Sequence, residues 1–350
     1  TGEALGSTRV ALVSVLWSAN GAGQAVAWPA LARVFLAWFP DVATRGTWYS
    51  ILATNQNLGG TLSPIVYPPL IQSYGWEAAL GWPAVMVLCF AMLMAFGLRS
   101  KPAKESDQSQ TSPVDEAGSA PKGKGDNDGV PPTKTKLGIV DTFVYLLSMR
   151  SFVLLSLAYI PIMIIRQSLI NWTAVIFEDA GMTLFQAGTC ISALEFGGFI
   201  GGLTAGYLSD ALFNGRRGPV MASFSLLCVP LSLALPYALE QSLAGDAANK
   251  MFILRVVFFS TGFASFPPHS LIGLMSREIT PDAMRSTAGC VAKATGQIGA
   301  AAAGWPLQAL CASYGWANLG YVNAAAGVVA AATFSPLWNT IGKANKARTS

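Results

Sequence analysis

Long apolar runs, each about the length of a membrane crossing, alternate with short polar joints along most of this chain. Nine are long enough to span, at roughly 8–36, 45–72, 76–98, 151–177, 185–211, 218–240, 250–276, 284–311 and 317–341, since about 20 apolar residues carry a helix across the hydrocarbon core. Glycine and proline recur inside them, which membrane helices tolerate. The pattern predicts an all-α polytopic membrane protein. Residues 138–150 carry a shorter apolar periodicity and read either as an amphipathic helix on the membrane surface or as an extension of the next span. Residues 99–137 break the pattern: they are rich in Ser, Pro, Gly, Asp and Lys, cannot bury a core, and are expected to form a disordered linker.

The charges between the runs give an orientation. Basic residues gather in alternate connections: Arg45; then Arg99, Lys101, Lys104, Lys122, Lys124, Lys134, Lys136 and Arg150; then Arg216 and Arg217; then Arg277 and Arg285; and finally Lys343, Lys346 and Arg348. The other connections hold Glu77, Glu178, Asp179, Glu240 and Asp246, with Lys250 the main basic exception. Lys and Arg collect on the cytoplasmic side. The linker and the C-terminus are therefore expected in the cytoplasm.

Composition agrees with the class: 52% of residues are hydrophobic and only 11% charged, under half the charge fraction of an ordinary soluble domain. The five cysteines (Cys89, Cys190, Cys228, Cys290, Cys311) all sit within apolar runs and form no Cys-x-x-Cys pair; they read as small core residues. The sequence offers no nucleophile–base pair, no cluster of metal ligands and no phosphate-cradling glycine loop before a helix. It is not expected to be an enzyme, to carry a cofactor or metal, or to bind nucleic acid.

One residue interrupts the apolar pattern. Arg166 falls near the middle of the run at 151–177. A charge at that depth costs about 3 kcal/mol or more, and an intramembrane ionisable residue points to function. Its guanidinium never deprotonates and offers a planar fork of donors suited to phosphate. Glu195, near mid-depth in the run at 185–211, is the natural counter-ion, and an anion could compete with it for Arg166. Lys293, eight residues into the run at 284–311, is a candidate second cation, with snorkelling as the alternative. His269, the only histidine, follows Pro267-Pro268; it marks an expected bend and is either a proton-coupling group or a packing residue. Asn20 and Gln24 share a helix face. With Gln56, Asn57 and Asn171 they are candidates for a polar lining, against the alternative of interhelical hydrogen bonds. Gly197, Gly198, Gly201, Gly202 and Gly206 have the spacing of close helix packing. Asp210, Arg216 and Arg217 read as a charge cluster at a gating loop, with Arg45 and Arg285 at the corresponding joints.

The chain also repeats itself. Pro40-Asp41 through Arg45-Gly46, then Ser73-Tyr74-Gly75-Trp76, correspond in order and spacing to Pro281-Asp282 through Arg285-Ser286, then Ser313-Tyr314-Gly315-Trp316. Runs one to three thus look like a copy of runs seven to nine. Repeats of this kind are common in transporters, with the substrate site at the midplane between the halves. The organisation expected is a partial N-terminal half at 1–98, the linker at 99–137 and a six-helix C-terminal half at 138–350. On this reading the chain starts at the fourth helix of a twelve-helix protein.

Gly206-Tyr-Leu-Ser209-Asp210 through Gly215-Arg216-Arg217-Gly218 resembles the cytoplasmic loop motif of the major facilitator superfamily. Gly23-Gln24 through Trp28-Pro29, Asn57-Leu-Gly59-Gly60 and Ser192-Ala-Leu-Glu195-Phe-Gly197-Gly198 resemble the organophosphate:phosphate antiporter family, the last being especially similar to glucose-6-phosphate translocases. The resemblance implies a major facilitator fold and exchange of a sugar phosphate or glycerol phosphate for inorganic phosphate by alternating access. It also implies a monomer in the bilayer, with the endoplasmic reticulum favoured over the plasma membrane or plastid envelope. The family binds phosphate with two arginines, and Arg166 matches the one in the second half. The first-half arginine belongs to a helix with no counterpart in these residues. Gln56 stands where glycerol-phosphate carriers have histidine, and hexose-phosphate carriers have a lysine near Lys293. The alternatives are a facilitator for another organic anion and a transport-inactive sensor of the same fold.

Overall fold

The computed structural model describes residues 2–38, 52, 55–97, 138–213, 215–244, 247–281 and 284–340. The linker at 99–137, Arg45, Pro40–Gly46 of the repeat and the basic residues after 340 lie outside the described residues. The described elements are helical: α1 (Gly2–Trp38), α2 (Asn55–Tyr74), α3 (Trp76–Gly97), α4 (Ile139–Ser148), α5 (Arg150–Asp179), α6 (Leu184–Ala211), α7 (Arg217–Ala244), α8 (Ala247–Glu278), α9 (Arg285–Ala302), α10 (Trp305–Tyr314) and α11 (Ala317–Phe334), followed by a 3-10 turn at Ser335–Leu337. Two compact units are formed: one from 1–45 with 89–139, the other from 46–88 with 140–350. The first unit holds α1 and the end of α3.

Seven of the predicted runs reappear as helices to within about six residues; of the run at 45–72 the described part is α2 from Asn55, and the run at 284–311 differs. The run at 284–311 is two helices, α9 and α10, broken at Ala303–Gly304. Pro306 has no N–H with which to continue the ladder, and Gly304 adopts φ −80°, ψ −128°. The break is not left unsatisfied: Trp172 Nε1–H on α5 donates to the Ala303 carbonyl at 2.7 Å. The same indole lies 6.1 Å from that of Trp316, whose Nε1–H donates to Asp179 Oδ2 at 2.8 Å. Trp172→Phe keeps the ring and removes the donor. It is expected to cost about 1 kcal/mol, read as a lower Tm in detergent and faster amide exchange over 303–307. Unchanged exchange there would show that the break holds itself.

Residues 139–148 form a helix of their own, because Met149 is extended (φ −81°, ψ 102°) and separates it from α5. Leu146 of α4 is fully buried while Val140, Val144 and Leu147 are exposed, as a helix lying on an apolar boundary requires. Among the described residues, five helices are long and apolar enough to cross a membrane, in α3, α5, α7, α8 and α11. The repeat has a backbone counterpart: Gly75 and Gly315 both take left-handed φ, +81° and +90°, and both donate to the carbonyl four residues back. Each ends a helix with the one residue type that takes this conformation without strain.

In the second unit, α5 packs on α9, α11 and α8; α6 packs on α8 and α2; and α7 packs on α11 and α8. Along α6 and α8 the two backbones touch. A Cβ at Gly197 would meet the Phe259 carbonyl, one at Gly201 the Phe263 carbonyl, and one at Gly262 the Leu194 carbonyl. The Phe263 carbonyl is also the one that Pro267 leaves without an N–H partner. Two apolar clusters fill the unit: one around Phe152, Leu155, Ile162, Met221, Ile272 and Phe334, the other around Phe177, Leu194, Leu254 and Leu319. A smaller one, Ile165 with Cys228, Ala264 and Ala326, lies beside Arg166 in sequence.

Candidate functional site

Arg166 and Glu195 face each other from α5 and α6. Arg166 Nη2 donates to Glu195 Oε1 at 3.0 Å, and the two side chains are only 4% and 6% exposed. The Phe266 ring of α8 lies under the guanidinium, 5.1 Å from Cζ to the ring centroid. A cation over an aromatic face in a water-poor interior is stabilised by roughly 2 kcal/mol. Arg166 Nη1 and Glu195 Oε2 have no hydrogen-bond partner. The pair is therefore neutral overall yet retains a donor and an acceptor, each able to take a further partner.

A second polar group adjoins it. Tyr159 Oη and His269 Nδ1 share a hydrogen bond of 3.0 Å, and the Phe266 ring stands 5.6 Å from the imidazole. Tyr159 reaches His269 across α9 at Gly296, where a Cβ would collide with the phenol ring. Gly273 follows His269 by one turn on α8. Lys293, half-buried, runs past Gly273 of α8. Arg166, Phe266, His269 and Tyr159 thus form one connected group along α5 and α8, and Lys293 of α9 lies beside the next turn of α8.

The other candidates are placed variously. Asn57 on α2 is fully buried, and neither its amide oxygen nor its amide nitrogen has a partner. Its neighbour Gln56 is exposed. Asn171 is exposed and accepts from Gln167 Nε2 at 3.0 Å, one turn away on α5. Asn20 and Gln24 are exposed on α1, in the first unit. At the loop between α6 and α7, Arg217 Nη1 donates to Ser209 Oγ at 2.7 Å and Nη2 to Glu278 Oε1 at 3.4 Å, while Arg216 Nη1 reaches Asn339 Oδ1 at 3.4 Å. Arg285 opens α9, half-buried. The side chain of Asp210 lies outside the described residues. Sequence reasoning missed Glu278 as the partner of Arg217, and missed Phe266, Tyr159 and Gly60. No local signal joins these residues to their neighbours, because the partners lie far away along the chain.

A guanidinium and a carboxylate paired and buried in the middle of a helical unit are the interior expected of a carrier for an organic anion. The sequence profile of the Major Facilitator Superfamily matches residues 4–304, most of the chain. A probable hexose phosphate transport protein of Chlamydia muridarum is 30% identical over 346 residues, covering 95% of this chain and 72% of the relative. This chain is a member of the organophosphate:phosphate antiporter family of the major facilitator superfamily. Within the family, the membrane sensor protein UhpC of Salmonella typhimurium is 29% identical, again over 95% of this chain and 72% of the relative. The glycerol-3-phosphate transporter of Bacillus subtilis is 23% identical over the same shares. These relatives are named as transport and sensor proteins, not enzymes, and membership makes the chain an integral, multi-pass membrane protein.

Proposed function

We propose that the chain binds a sugar phosphate or glycerol phosphate through Arg166 and exchanges it for inorganic phosphate by alternating access. The observation that carries this reading is the buried Arg166–Glu195 pair at 3.0 Å with one donor and one acceptor unused. An entering phosphate presents two oxygens to the guanidinium fork and displaces the carboxylate. The exchange of one partner for the other keeps the buried cation compensated throughout. Lys293 is the second cation. His269 and Tyr159 supply hydrogen bonds to the sugar hydroxyls or to the phosphate.

The repeat and the family fold support a division at the linker into halves at 1–98 and 138–350, which rock about the midplane. The distribution of Lys and Arg supports a cytoplasmic linker and C-terminus. The protein works as a monomer in this reading, and the endoplasmic reticulum is its favoured membrane.

The chain is reconstituted into proteoliposomes loaded with inorganic phosphate, and uptake of labelled glucose 6-phosphate is followed against a panel of competing anions. Phosphorylated sugars and phosphate are expected to compete at least about tenfold better than sulfate or carboxylates, since a second cation favours the dianion. Equal competition by a carboxylate would make this a carrier for another organic anion. The similarity to a membrane sensor protein favours a second reading, a ligand sensor. In that case glucose 6-phosphate binds in detergent but no flux appears.

A further inference from the structure

Glu195 is held from two sides, and only one of them is Arg166. The other is α2, which runs antiparallel to α6: Gly60 meets Glu195, the Thr61 carbonyl accepts from Ser192 Oγ at 2.7 Å, and the Pro64 carbonyl lies against Gly188. A Cβ at Gly60 would stand 2.8 Å from Glu195 Cγ, 3.1 Å from Cδ and 3.3 Å from Oε2. The carboxylate arm therefore occupies the volume of an absent side chain. At Gly197, Gly201 and Gly262 the missing Cβ makes room for backbone; at Gly60 it makes room for the ionic group that neutralises Arg166.

We infer that Gly60 is a positioning residue for anion binding: it seats Glu195 so that the carboxylate reaches Arg166, and so sets how strongly the carboxylate competes with phosphate. The inference rests on phosphate binding at Arg166. A methyl group at position 60 must evict the arm, because the Ser192–Thr61 bond and the Gly188 contact with the Pro64 carbonyl hold α2 against α6 on the same seam. An evicted carboxylate no longer neutralises the guanidinium, and Arg166 becomes available to anions without competition. Because α2 carries the seat, any movement that parts α2 from α6 also loosens Glu195. The same contact thus links occupancy of Arg166 to closure of the α2–α6 seam.

The test is the dissociation constant of inorganic phosphate, measured by titration calorimetry on the purified full chain. Gly60→Ala is expected to tighten phosphate binding about tenfold, as Glu195→Gln does. In a Glu195→Ala background, with no arm to evict, Gly60→Ala is expected to change nothing. A Gly60→Ala protein that folds but binds phosphate as wild type overturns the seat. So does an effect of equal size in the Glu195→Ala background, which would make Gly60 a packing residue. Should Gly60→Ala not fold alone, the reference is Glu195→Ala: a Gly60→Ala/Glu195→Ala protein as stable as Glu195→Ala supports the seat, and a further loss of stability overturns it. Phosphate binding that survives in Arg166→Ala/Glu195→Gln refutes instead the reading on which the inference rests.

Discussion

Arg166→Ala is expected to abolish measurable phosphate binding and exchange, and Arg166→Lys to come close to doing the same. Arg166 is buried, with Nη2 on Glu195 and Nη1 without a partner, and is the donor fork of the proposed site. Each charge-assisted hydrogen bond contributes about 1.5–3 kcal/mol, so loss of a bidentate contact weakens binding by on the order of a hundredfold or more. Lysine retains the charge but offers an ammonium with no planar fork, and it stacks less well on Phe266. Removal of Arg166 alone also leaves Glu195 buried and uncompensated, at a cost of about 3–5 kcal/mol in stability. Lost binding in the single variant therefore has two causes, which Arg166→Ala/Glu195→Gln separates. The double variant is expected to recover most of the thermal stability and none of the binding. Calorimetry with phosphate in detergent and exchange in proteoliposomes give the two readouts. Near-wild-type affinity in the stable double variant would remove Arg166 from the site.

Gly262→Ala is expected to be the most damaging single methyl in the second unit. Gly262 lies on the Leu194 carbonyl, one residue before Glu195, while Gly197 lies on the Phe259 carbonyl from the other side. Overpacking of a close-packed interior costs typically 1–3 kcal/mol, and more when backbone must move; here no flexible side-chain end can yield. Parting α6 from α8 also shifts Phe266 away from Gly198 and Gly202, and with it the face beneath Arg166. Gly262→Ala should therefore lower the Tm in detergent by several degrees and weaken phosphate binding together. Gly59→Ala makes the contrast: a Cβ there would meet nothing within 4 Å, and it is expected to leave both readouts unchanged. Wild-type stability in Gly262→Ala would mean that the seam is looser than its geometry.

The Arg166–Glu195 pair shows how far sequence reasoning reached. An arginine and a glutamate in separate apolar runs stand out because nearly everything around them is uncharged, so each is a natural partner for the other. Asn57 also stood out as a polar residue in an apolar run, and it is buried. By contrast, Gln56, Asn171, Asn20 and Gln24 looked equally polar and are exposed. The difference has a physical cause. In a soluble helix, polarity on one face marks the outside. In a membrane helix the outward face is apolar too, and the period that reveals orientation is missing.

The sequence by itself determined the approximate limits of most apolar runs, the anomaly of Arg166, Glu195 as its natural counter-ion, and the repeated Ser-Tyr-Gly-Trp turns, whose glycines both prove left-handed. These are properties of composition and local order along the chain. Only the tertiary structure decided that the run at 284–311 is broken and held at its break by Trp172, that Phe266 underlies the guanidinium, and that Tyr159 bonds His269. It alone showed that Gly60 makes room for a carboxylate rather than for a backbone. Each of these joins residues from different helices. A glycine in an apolar run reads the same whether a carbonyl, a ring or a carboxylate lies against it, and only the packed neighbour distinguishes them.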